Sequence, residues 1–90
     1  MTEDKEGLRE ELQSRQDGYK TVFKGVNGQE VLKDLSRFCR ENESCVVLGD
    51  RDATLVLEGR REVILRIMDH LDMSPEDLWK KYEEGQDVAR

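Results

Sequence analysis

Between Gln29 and Glu41, the residues Val31, Leu32, Leu35, Phe38 and Cys39 fall at i, i+1, i+4, i+7 and i+8. That spacing puts all five on one side of an α-helix. Lys33, Asp34, Arg37 and Arg40 take the wet side, and Asn42 and Ser44 then break the pattern. This is the cleanest helix in the chain. Its apolar face requires another element to pack against.

The flanking segments offer such elements. From Thr2 to Gly25, Leu8, Leu12, Tyr19 and Phe23 are spaced by four, seven and four, which predicts one helical stripe. Gly7 and Gly18 each weaken that helix by up to about 1 kcal/mol relative to Ala, so a frayed start and a firmer second half are expected. Gly25-Val26-Asn27-Gly28 reads as a turn, with Asn27 a candidate cap for the next helix.

The stretch from Ser44 to Glu58 supports two readings. Val46-Val47-Leu48, Gly49-Asp50-Arg51-Asp52 and Ala53-Thr54-Leu55-Val56-Leu57 make a local β-hairpin pattern. Alternatively, Asp50 or Asp52 caps a helix that runs to Leu71. In that helix Val56, Gly59, Val63, Ile67, His70 and Leu71 lie near one face, Ile64 and Met68 widen it, and Gly59 sits at a close helix approach. Further on, Ser74-Pro75-Glu76-Asp77 combines a capping Ser, a Pro at the first helical position and two acids that complement the helix dipole. Leu78, Trp79 and Tyr82 give this last helix an apolar side. Gly85 ends it, and 86–90 reads as a loose tail.

The expected fold is all-α: a compact bundle of three to four helices. It forms a single small domain over 1–90, with loose ends at about 1–6 and 86–90. An α+β fold with a short hairpin at 45–58 is the alternative. Leu32, Leu35, Phe38, Val63 and Ile67 are expected to share one buried cluster. With 36% hydrophobic and 40% charged residues in 90, that core is thin, and a partner is needed for any apolar surface it leaves uncovered.

Charge and composition narrow the function. A net charge of −6 argues against unspecific nucleic-acid binding, which gains affinity from Lys and Arg against phosphate. No apolar run approaches the roughly 20 residues that span a bilayer. The polar start, Met1 to Lys5, carries no signal-peptide pattern, so the protein is expected in the cytosol where it is made. Cys39 and Cys45 are too few for a disulfide scaffold and are expected as thiols.

Candidate chemistry is sparse. Cys39, Cys45 and His70 fall short of the four ligands of a closed zinc site, so no metal or cofactor is expected. A Cys–His nucleophile pair has no third, orienting group, and no Gly-Lys-Ser/Thr element marks a phosphate loop, so no catalytic residue is assigned. Arg60, Arg61 and Arg66 form the one basic cluster with Arg51, which is too far along a helix to share a turn with Arg60. They read either as contacts to a partner or as helix-surface pairs, Glu58 with Arg61 and Glu62 with Arg66. Trp79 and Tyr82 either dock the last helix or anchor a partner. Arg60, Arg61, Arg66, Trp79 and Tyr82 are therefore the candidate partner contacts.

Two motifs carry a family resemblance. The run Gly28-x-x-Val31-Leu32-x-Asp34-Leu35-x-x-Phe38-Cys39 and the run Glu58-Gly59-Arg60-Arg61, with Tyr19, Phe23, Asp52-Ala53-Thr54, Val63, Ile67 and Leu71 in order, resemble the Bbp19-like proteins of tailed phages and prophages. The resemblance covers roughly Arg15 to Leu71. It implies a phage origin and a helical course through Glu58-Gly59-Arg60-Arg61, and brings no established chemistry. The expected function is non-catalytic, acting through protein–protein contact in virion assembly, in the host bacterial cytoplasm or with the virion. The expected partner is a phage structural or host protein, and a homo-oligomer is compatible with the chain. The alternatives are a nucleic-acid-binding regulator that uses the arginine face and an acidic inhibitor directed at a host protein.

Overall fold

A computed structural model describes residues 2–84, with side chains from 6 to 82. Helix α1 spans Thr2–Phe23, α2 Val26–Phe38, α3 Arg51–Asp72 and α4 Pro75–Trp79, and a wider π-helical turn follows at Lys80–Glu84. The fold is all-α, and no strand occurs among the described residues. The expected stop at Gly85 and tail at 86–90 lie outside the described residues, as does Met1. From Thr2 onward the backbone is helical.

The stretch from Ser44 to Glu58 resolves in favour of the long helix. Asp50 caps α3 by accepting a hydrogen bond from the Ala53 amide at 3.0 Å, as its short carboxylate predicts. The preceding loop finds its partners locally. The Thr54 hydroxyl accepts from the Val47 amide at 2.8 Å, and the Asp50 amide donates to the Val47 carbonyl at 3.0 Å. With these backbone groups satisfied by turns and a side chain, a strand pairing has less to offer. Ser74 caps α4 as expected, accepting from the Asp77 amide at 3.1 Å, with Pro75 at the first helical position.

The bounds of α2 differ from those read off the sequence. The helix starts at Val26, so Asn27 and Gly28 lie inside its first turn and Gly25 is the cap residue. It stops at Phe38 rather than Glu41. Arg40 takes a left-handed conformation (φ 56°). The Arg40 amide then donates to the Arg37 carbonyl at 3.2 Å and the Glu41 amide to the Ser36 carbonyl at 3.0 Å. This is the Schellman arrangement, with Arg where Gly is usual.

Helix α1 packs against α2, α3 and α4, and α2 also packs on α3. Two small cores result. Leu12, Leu78 and Trp79 form one, with Met73 and Tyr82 against it. Cys39, Ile64 and Ile67 form the other, flanked by Tyr19, Phe23, Leu32, Leu35, Met68 and Leu71. The described chain is a slab of 49 × 35 × 14 Å with a radius of gyration of 15.5 Å, against about 12 Å for a sphere-like domain of this length.

The expected core cluster needs correction at two positions. Leu32, Leu35 and Ile67 belong to it, but Phe38 is 57% exposed and Val63 56% exposed. Successive helix positions turn by about 100°. Helix α3 therefore carries two apolar stripes, and the one that faces inward runs through Ile64, Ile67, Met68 and Leu71. Val56, Gly59 and Val63 form the other, which faces outward. Gly59 is no helix crossing within this chain, because a Cβ built on it meets nothing within 4 Å. For Phe38→Ala the expected loss of stability is accordingly about 1–2 kcal/mol, against about 3–5 for a fully buried Phe. Urea unfolding of the two proteins measures it.

Candidate functional site

The polar heart of the molecule lies between the two cores. On α1, Arg15 and Gln16 sit between Leu12 and Tyr19. On α3, His70 sits between Ile67 and the chain exit at Met73. The His70 ring is fully buried. It stacks on Tyr19 with centroids 4.3 Å apart and meets Tyr82 at 5.5 Å. Its Nδ1 is 2.8 Å from the Arg66 carbonyl, and its Nε2 accepts from Arg15 Nε at 3.0 Å. This pattern is that of a neutral ring: Nδ1–H donates and Nε2 accepts. Gln16, also buried, donates to the carbonyls of His70 (3.1 Å) and Met73 (2.8 Å). Those carbonyls end α3 and have no amide of the next turn to receive. The network thus fixes how α1 registers against the end of α3. Within it Arg15 Nη2, Gln16 Oε1 and, nearby, Trp79 Nε1 are buried without a hydrogen-bond partner among the described residues.

Burial holds the His70 pKa below its ordinary 6.5, and the Arg15 and Arg66 charges add to that against the raising effect of the Arg66 carbonyl. Above pH 6.5 the ring is neutral folded or unfolded and no stability is lost. As pH falls from 6.5 toward the lower folded value, the unfolded chain takes up the proton first, so stability declines. Melting temperature is expected to fall between pH 7.5 and pH 5.5 in wild type, with a smaller fall in His70→Gln. Equal slopes in the two proteins would contradict a neutral buried ring.

The surface candidates do not converge on one face. The Arg60 guanidinium lies over the Phe38 ring, 4.6 Å from its centroid, at an exposed edge between α2 and α3. Arg61 Nε donates to the Glu41 carbonyl at 3.2 Å and so holds the loop after α2. Arg66 lies over Tyr82 at 5.0 Å. The Tyr82 hydroxyl donates to Asp69 Oδ2 at 2.6 Å, and Lys81 pairs with the same oxygen at 2.6 Å. Burial, then the bond to that carboxylate, pushes the Tyr82 pKa up to about 12. Of the five candidates, the structure sets Arg66 over Tyr82 and packs Tyr82 against the core that holds Trp79, while Arg60 and Arg61 have separate partners, Phe38 and the Glu41 carbonyl.

Trp79 is 2% exposed. It packs with Leu12 and Leu78, and Arg9 covers its ring at 4.6 Å. Of its two roles, docking the last helix is the one this geometry provides. Cys39 and Cys45 are buried thiols. Among the described residues no group of three or more His, Cys, Asp or Glu side chains is gathered to hold a metal, and no helix is long and apolar enough to cross a membrane.

Sequence reasoning missed Arg15, Gln16 and the exposed Phe38–Arg60 pair. A signal for the first two existed. The seven-residue gap between Leu12 and Tyr19 contains Gln16, four after one and three before the other, so a polar residue stood on the apolar stripe of α1.

A protein-family model described as Bbp19-like phage protein matches residues 19–83. The match runs past Leu71, where the resemblance read from the motifs ended, and takes in α4 and Tyr82. The search of curated proteins and the search of solved structures returned no match.

Proposed function

This chain belongs to the Bbp19-like phage protein family, and on that premise we propose that it is a non-catalytic phage protein that acts by protein–protein contact in virion assembly. One observation carries the reading. Among the described residues, eleven large hydrophobic side chains are exposed, while seven hydrophobic residues, two of them cysteines, are buried. Leu48 at 92% and Val26 at 80% exposed are the extremes. Single exposed apolar residues are ordinary, but continuous apolar stripes on a small soluble chain mark contact surfaces. A thin slab cannot fold over to hide them.

The Phe38–Arg60 edge is the best placed contact for a phage partner. An Arg stacked on an exposed aromatic ring offers apolar area and charge together, and aromatics and Arg dominate interface energetics. The scatter of Arg60, Arg61 and Arg66 over three neighbourhoods gives no added support to a nucleic-acid groove, since such binding gathers cations along one track.

The test is tagged capture from phage-infected cells. Wild type should co-purify with phage-encoded structural proteins, and Arg60→Glu should reduce that recovery while melting like wild type. Recovery of no phage protein would overturn the reading. Recovery of DNA that weakens steeply with salt would put the regulator in its place, and a single host protein would put the host-directed inhibitor there.

A further inference from the structure

Resting on the protein-contact reading, we infer that the outward face of α3 pairs with the same face of a second copy of this chain, antiparallel and two-fold about Gly59. The inward stripe of α3 is consumed by the fold. The outward one is not: Leu55, Val56 and Val63 are all more than half exposed, and Gly59 lies among them, exposed. Glycine in a helix interior destabilises the helix relative to Ala, and here nothing within the chain requires it, since a Cβ would meet open space. At the centre of an apolar stripe, a missing Cβ lets a second helix come close.

The sequence around Gly59 says which second helix fits. Under a two-fold axis at Gly59, the residue n places before it faces the residue n places after it on the other copy. Leu55 then faces Val63, apolar against apolar. Asp52 faces Arg66, opposite charges. Each pairing occurs twice, which is the self-complementarity a two-fold interface demands. A parallel pairing would instead set Asp52, Glu62 and Arg66 each against its own copy, like charge on like charge, in a chain that already carries a net −6. On the stripe itself, the antiparallel arrangement sets opposite charges together where the parallel one sets like charges. The Arg66 guanidinium is held at the margin of this stripe by the Tyr82 ring. The Phe38–Arg60 edge remains open along the α2 side for another protein.

Sedimentation equilibrium of the full chain tests this. Wild type should show twice the 10.5 kDa chain mass, more weakly at high salt. Gly59→Leu faces open space in the single copy, so the fold of the single copy should be at least as stable as wild type while self-association weakens by about tenfold or more. Asp52→Arg alone and Arg66→Glu alone should each weaken self-association, and mixing the two variants should restore pairing between them to the wild-type level. That recovery separates interface charge from any damage to folding. A single-copy mass at chain concentrations up to about 1 mM would overturn the inference. So would a dimer that Gly59→Leu leaves intact or a mixture that pairs no better than its components. A single-copy mass with phage structural proteins still captured removes this interface and leaves the proposed function standing. A dimer that captures no phage protein does the reverse.

Discussion

Trp79→Ala is expected to lower stability by about 3–5 kcal/mol. The ring is buried at the junction of α1 and α4, against Leu12 and Leu78. Helix α4 has five residues, far below the dozen or so an isolated helix needs in water. Packing holds it in place, and Trp79 supplies the largest side chain of that packing. A small domain has about 5–15 kcal/mol in total, so the variant should be substantially unfolded at temperatures wild type tolerates. Urea unfolding followed by far-UV circular dichroism reads the change. A variant as stable as wild type would mean that the ring does not dock α4. Because the expected damage is to the fold, any loss of partner capture by Trp79→Ala says nothing about a contact surface.

The second large effect is at Gly28. A Cβ there would lie 2.3 Å from the Val22 carbonyl oxygen and 2.7 Å from Phe23 Cα. Both are backbone atoms at the end of α1 and cannot swing aside. The close approach also brings Gln29 Nε2 to donate to the Phe23 carbonyl at 2.7 Å, which satisfies an orphan acceptor at that helix end. Gly28→Ala should therefore push α1 and α2 apart and cost about 1–3 kcal/mol. Gly18→Ala is its control with the opposite sign. It stands within α1 with nothing within 4 Å of a Cβ, and should stabilise by up to about 1 kcal/mol. Paired thermal melts that move in the same direction would contradict this account of Gly28.

These two glycines show what the sequence could reveal. Gly28 stands in a patterned motif, Gly28-x-x-Val31-Leu32, whose local pattern predicts a turn. Its real constraint, the proximity of the preceding helix end, is a tertiary fact with no local signature. The caps at Asp50 and Ser74 were legible because a short polar side chain before a periodic run acts within three residues. The end of α2 was not, because Arg40 occupies a left-handed position where Gly or Asn is the usual marker. The inward face of α3 was legible only in part. Two neighbouring stripes about 100° apart both carry apolar residues, and the choice between them depends on how α1 approaches. The buried Arg15–His70–Gln16 network makes that choice, and it joins residues more than fifty positions apart. Among the surface candidates, the basic cluster was visible as composition. Its division among Phe38, Glu41 and Tyr82 depends on where α2 and the last turn lie.

The central claim is that apolar surface left open by this fold is covered by protein where the chain works. Thiol labelling of an Asp34→Cys variant tests it most directly, since Asp34 is exposed one turn before Phe38 on α2 and the native Cys39 and Cys45 are buried. Phe38 lies at the edge assigned to a phage partner, clear of the α3 self-interface. Labelled with a bulky maleimide, the purified chain should react at the rate of an open thiol. The same chain recovered in assemblies from phage-infected cells should react about tenfold or more slowly, the protection expected of a residue inside a desolvated contact. Equal rates in the two preparations would contradict the account.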